Sequence, residues 1–212
     1  IKDVTEGLSI AWNTPLFFSL FTALAGIAFF ARPFNQFMPI FARDILRVGA
    51  PGLGLLLMAP GAGAISGGLV LASITRFPQT HRLMMTLVSG FTISVMLFSY
   101  SRSFPLALVF LFFAGGFQTT LLTLIQSSLQ LHASQNIRGR IMSLYGLLNR
   151  GLGPMGAFPM GALATWVGAP FTVAMGAFLG FCVTAYVALG RPHLRGAGAL
   201  GEPSRATKEV RG

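Results

Sequence analysis

Residues 16–44 read LFFSLFTALAGIAFFARPFNQFMPIFARD, and this stretch decides the fold. From Leu16 to Ala31 only Ser19 and Thr22 carry a hydroxyl. The apolar run is then interrupted by Arg32-Pro33 and Asn35-Gln36, and resumes from Phe37 to Ala42 before Arg43 and Asp44. As a helix rising 1.5 Å per residue it is about 40 Å long, enough to cross a hydrocarbon core about 30 Å thick. Arg32 then lies about 24 Å from the start, just beyond mid-membrane. A cation there costs about 2.5–3.5 kcal/mol on insertion scales, so it is expected to face protein, ligand or water and not lipid.

Composition agrees with a bilayer as solvent. Only 9% of the 212 residues are charged and 53% are hydrophobic, against about 25% charged in an ordinary soluble domain. The 26 Gly, 20 Phe and 12 Pro fit a helical membrane bundle, in which glycine lets backbones approach and neighbouring helices satisfy the carbonyls that proline frees. The alternating segments of a β-barrel are missing. The expected fold class is therefore an all-α polytopic membrane protein.

Working outward, residues 1–13 place Ile1, Val4, Leu8 and Trp12 on one face and Lys2, Asp3, Glu6 and Ser9 on the other, an amphipathic helix at the interface. Six transmembrane spans are expected at about 16–43, 50–75, 83–100, 104–129, 141–166 and 169–189. The second contains the GxxxG pair Gly63 and Gly67, and the sixth contains Gly176 and Gly180, read as helix-packing faces. Pro60-Gly61 is an expected kink, and Ser134 or Asn136 an expected N-cap. Residues 191–212, rich in Gly, Ala and charge, are expected to be a disordered tail. No signal peptide is expected, because no basic n-region precedes a short apolar segment and a cleavage site. With Ile1 first, the chain reads as part of a longer protein.

Charge gives the orientation. Ten Lys and Arg fall on the side of the termini, among them Arg76, Arg82, Arg138 and Arg140 in expected loops, against Arg43, Arg47 and Arg102 on the other. Both termini of this chain are thus expected in the cytoplasm, which also explains the formal charge of +10 without nucleic acid. A single cysteine, Cys182, excludes an internal disulfide and a cysteine-cluster metal site. His81, His132 and His193 have no carboxylate at metal-ligand spacing, and no nucleophile elbow or phosphate loop is present. The expectations are no enzyme activity, no metal and no cofactor.

Two arginines remain inside the membrane. Arg150, twelve residues beyond Arg138, lies about 18 Å deep, similar to Arg32. The five acids, Asp3, Glu6, Asp44, Glu202 and Glu209, all fall at span ends or in loops, so no buried counter-charge accompanies either cation. Each arginine sits beside a helix-weakening residue and an amide: Pro33 with Asn35 and Gln36, and Gly151 and Pro154 with Asn149. Such interruptions at mid-depth free backbone groups and amides to bind a ligand. Arg32, Asn35, Gln36, Asn149 and Arg150 are therefore the candidate cavity lining, with Gln118 a further candidate. Alternatively, the arginines join helix–helix polar networks, and Gln118 and Gln126 make interhelical hydrogen bonds.

Two blocks carry a family resemblance: PIFARDILRVGAPGLGLLLMAPGAGAISGGL at 39–69 and QNIRGRIMSLYGLLNRGLGPMGAFPMGALA at 135–164. With the amphipathic lead-in and six spans, the chain resembles the C-terminal half of a major facilitator superfamily transporter. It is most similar to the transmembrane secretion effector branch that includes enterobactin-type siderophore exporters. The resemblance implies helices seven to twelve of twelve, a missing N-terminal six-helix half and a bacterial inner-membrane location. It further implies export by alternating access, with proton coupling, of a small organic molecule, siderophore- or drug-like; the two arginines would suit an anionic one. No carboxylate inside these spans could relay the proton. The loop 72–82 keeps Arg76 and Arg82 but lacks the acid that the superfamily often has there. The competing class is a non-transporting six-helix scaffold or assembly subunit, with Gly63, Gly67, Gly176 and Gly180 as association faces.

Overall fold

A computed structural model describes residues 15–73 and 80–190. The expected interfacial helix at 1–13, Arg76 and the tail at 191–212 lie outside the described residues. Among the described residues six helical rods follow one another with no strand. We call them α1 (Leu16–Ile45), α2 (Gly49–Ser73), α3 (Thr80–Tyr100), α4 (Phe104–His132), α5 (Gln135–Val167) and α6 (Ala169–Gly190). All but α5 are long and apolar enough to cross a membrane. With 33 residues α5 is long enough, but its composition is too polar to qualify on the same measure.

α1 is one rod wound unevenly. It is α-helical over Pro15–Gly26, widens to a π turn at Ile27–Ala31, tightens to a 3-10 helix at Arg32–Phe37, and closes through Met38–Ile40 and a second π turn at Phe41–Ile45. The prolines explain the changes. Pro33 has no N–H for the Phe29 carbonyl and Pro39 none for that of Asn35, so the ladder shifts register. The Arg32 N–H bonds back five residues to Ile27, and the Met38 N–H reaches Asn35, three back. The interruption expected at Arg32-Pro33 is thus a change of pitch, and the rod stays continuous. The other prolines do less. α2 runs as one helix through Pro60, and α5 through both Pro154 and Pro159.

α1 is the central rod. Leu20, Leu24, Ile27, Phe34, Met38 and Phe41 are fully buried, and Phe34 and Phe41 meet Phe91 and Phe98 of α3 with ring centroids 6.1 and 4.5 Å apart. α5 and α6 pack along its other sides, α3 packs on α4 and α6, and α2 lies on α4.

Glycines set how closely these rods approach. A Cβ on Gly63 would overlap the Phe112 carbonyl, and one on Gly115 the Pro60 carbonyl, while Gly67 faces the Gly116 carbonyl. Gly176 faces the Phe30 carbonyl of α1 and Met160 of α5, and Gly180 faces Ala31. α5 begins at Gln135, where the expected N-cap Ser134 would start it and ahead of the span start expected at 141, and the Ser134 carbonyl accepts the Ile137 and Arg138 N–H groups. Ser134 is the N-cap by backbone position, without a side-chain cap bond. Arg138 and Arg140 consequently lie on a helix and not in a loop, as does Arg82 on α3.

Candidate functional site

Where α1 changes pitch, Arg32 opens its 3-10 segment. The half-buried guanidinium reaches across to α5, where Nη1 donates to both the backbone carbonyl and the side-chain Oδ1 of Asn149, each at 2.6 Å. Asn149 stands a few residues before Pro154, whose missing N–H leaves the Arg150 carbonyl without its usual helical donor. A cation and two oxygens of one residue thus join the two proline-modified helices. The fit is close beside them: a Cβ on Gly156 would overlap the Phe29 carbonyl, the group that Pro33 leaves without its usual donor.

One turn before Asn149 on α5 is Tyr145, buried and near Arg32. Its hydroxyl points to the Leu122 carbonyl of α4, 3.5 Å away. One turn before Leu122 is Gln118, whose Nε2 is buried with no hydrogen-bond partner. A guanidinium, an amide and a phenol thus adjoin across α1 and α5, and Gln118 brings an unpaired amide donor to α4 one turn from the carbonyl that Tyr145 approaches. Burying such a donor without a partner is unfavourable, and the group is available to an acceptor.

The other expected members are distributed differently. Asn35 is half-buried and Gln36 exposed. Arg150, adjacent to Asn149 in sequence, is exposed and makes no hydrogen bond or ion pair among the described residues. Successive helical residues point about 100° apart, so equal depth did not give equal facing. Arg82 and Arg138 are exposed, and Arg140 is partly buried and engaged. Tyr145 was not among the expected residues. Its spacing of four from Asn149 on an otherwise apolar face was the available signal.

Among the described residues no His, Cys, Asp and Glu cluster could hold a metal ion. The one acid in the helical rods there is Asp44, in the last turn of α1. The arrangement is rich in donors and offers an anion or a carbonyl-bearing molecule hydrogen bonds at the level of the α1 pitch change.

The chain matches the family described as transmembrane secretion effector over residues 13–204. It belongs to this family of major facilitator superfamily transporters. It is also similar to the multidrug efflux pump Tap of Mycolicibacterium fortuitum, 26% identical over 169 residues, which cover 79% of this chain and 41% of that protein. The chain thus matches less than half the length of this relative. No solved structure matches it significantly. The family and the apolar helices make this a multi-pass membrane protein.

Proposed function

We propose that these residues form the C-terminal half of a secondary active exporter, with the track Arg32–Asn149–Tyr145–Gln118 as this half's share of the substrate site. The observation that carries it is the Arg32 guanidinium, bound across to Asn149 at the pitch change of α1 with no carboxylate beside it. Its remaining N–H groups and the unpaired Gln118 amide suit a small organic molecule bearing carbonyl, carboxylate or phenolate oxygens. Asn35, Gln36 and Arg150 lie on the side that the N-terminal half completes. Outward transport follows the efflux pump that the chain resembles. The location is the bacterial cytoplasmic membrane with both ends of this chain in the cytoplasm, in line with the arginine distribution. A proton relay falls to carboxylates of the other half.

A non-transporting scaffold would keep its glycine faces for other chains. Here Gly63 and Gly67 are filled by α4, and Gly176 and Gly180 by α1 and α5, which favours the transporter reading. The test uses the full-length protein in inverted membrane vesicles. Arg32→Ala and Arg150→Ala are each expected to insert normally and to reduce substrate uptake at least tenfold, the effect of about 1.4 kcal/mol lost from substrate contact. Undiminished transport in both variants would make the arginines structural and overturn the proposal.

A further inference from the structure

At the end of α1 away from Pro15, three connections meet around a cavity of about 520 Å³ lined by Asp44, Arg47, Tyr100, Ser101, Arg102 and Pro170. The volume lies within the range of about 300–1,000 Å³ typical of small-molecule sites. The walls come from the end of α1, the α3–α4 turn and the start of α6, so the cavity sits at the ends of membrane-length helices. Tyr100, an amphipathic aromatic, is exposed at that level, as interface residues are.

Two arginines and an aspartate, all exposed, are among the residues that line it. Arg47 is the one described non-glycine residue with positive φ, +54°. It follows the last π turn of α1, where the Leu46 N–H donates to Phe41 and the Val48 N–H reaches back to Ala42 at 2.9 Å. This is a helix C-terminal closure of the kind that prefers glycine, because a Cβ is disfavoured in the left-handed region. An arginine held there against its backbone preference points to a ligand contact. Arg102 stands in a turn fixed by the Ser101 N–H to Phe98, 3.0 Å, and Ser101 Oγ to the Ser103 carbonyl, 3.1 Å. Asp44 lies 3.7 Å from Arg43, with both side chains mostly exposed, so this screened pair leaves a carboxylate oxygen free.

We propose that the cavity binds the headgroup of a phospholipid carrying a phosphodiester and a primary ammonium, that is, phosphatidylethanolamine. Arg47 and Arg102 take the phosphate, and Asp44 takes the ammonium. The carboxylate gives an ammonium a partner that a purely anionic headgroup cannot use, and a choline headgroup has no N–H to offer it. The same polar chemistry exists in soluble glycerophosphoethanolamine, and the acyl chains separate the two sources.

The full-length protein, purified in detergent, is incubated with phosphatidylethanolamine, phosphatidylcholine or glycerophosphoethanolamine. Retained ligand is read by native mass spectrometry, and thermal stability is measured in parallel. Phosphatidylethanolamine is expected to be retained over the other two. Arg47→Gly and Arg102→Gln should each lower its retention about fivefold, the effect of one basic residue at a membrane surface. Asp44→Asn should bring it down to the phosphatidylcholine level. Because glycine suits the backbone at 47, the Arg47→Gly protein without lipid should melt no lower than the parent, which separates lost binding from lost folding. Equal phosphatidylethanolamine retention by the parent and the Arg47→Gly, Arg102→Gln double variant overturns the proposal. So does equal retention of glycerophosphoethanolamine, which would assign the cavity to a soluble ligand.

Discussion

The α2–α4 contact and the α1–α5 contact use opposite materials. Between α2 and α4, Gly63, Gly67, Gly115 and Gly116 bring backbone against backbone, and no side-chain hydrogen bond crosses that contact among the described residues. Between α1 and α5 one glycine, Gly156, makes a similar approach, but beside it Arg32 spans the gap to Asn149, where the α1 ladder passes from a π turn to a 3-10 helix. A backbone-to-backbone contact has one geometry, because nothing in it can rotate away. Hydrogen bonds to a guanidinium can be handed to water or to a ligand with little change in number. The first contact is fixed in geometry, and the second is the one on which the proposed substrate site rests.

The comparison breaks most visibly at the glycines. Gly63→Ala or Gly115→Ala drives a methyl into the Phe112 or Pro60 carbonyl, and a helix backbone cannot swing aside as a side chain tip can. Each is expected to cost about 1–3 kcal/mol or more by overpacking. The expected readout is a fall in melting temperature and in monodisperse yield on size-exclusion chromatography. Gly54→Ala and Gly68→Ala, with open space around the new methyl, serve as controls and should leave both readouts unchanged or improved by the better helix propensity of alanine. Equal losses at all four sites would mean that close approach is not what these glycines provide.

The second test addresses the polar contact. Asn149→Ala removes Oδ1 but leaves the backbone carbonyl, so Arg32 loses one of its two acceptors. A hydrogen bond to a charged group contributes about 1.5–3 kcal/mol. The destabilisation should be large in the parent and close to absent in an Arg32→Ala background, since the partner is already gone. A double-mutant cycle on melting free energies with coupling indistinguishable from zero would remove the bond from the account.

The contrast between these contacts was only partly legible in the sequence. Apolar length, the proline positions and the glycine pairs located the helices and their close-packing faces, since each depends on local chemistry. One helix over this stretch was expected and is found, whereas its pitch changes at Pro33 and Pro39 were not anticipated. The level of a residue along its own helix was also readable, because it needs only 1.5 Å per residue. Facing was not. Arg32 and Arg150 have similar depth, yet one is bonded to α5 and the other is exposed, because rotation about each helix is set by packing with helices distant in sequence. The pairing of Arg32 with Asn149 spans 117 residues, and no local pattern encodes it. Tyr145 was missed for the same reason: its place beside Arg32 depends on how α5 turns toward α1.

The smallest expected effect has the opposite sign from the others and sharpens the division of roles. Gln118 lies on α4, the helix that joins the two contacts: its Gly115 and Gly116 face α2, and its Leu122 carbonyl faces Tyr145. The buried Nε2 of Gln118 has no partner, so the folded protein carries the desolvation of an amide donor without a return hydrogen bond. Gln118→Met keeps the length and most of the volume of the side chain while deleting that donor. The substrate-free protein should therefore gain about 1 kcal/mol, the lower end of the desolvation penalty for an unpaired polar group. A structural amide that bonds within the helices would give the reverse, because its partner would be left unsatisfied. If the amide instead serves a ligand, the more stable variant should also transport more slowly, with the loss appearing in the apparent affinity for substrate. A Gln118→Met protein that melts lower than the parent would take this residue out of the site and return it to the packing of α4.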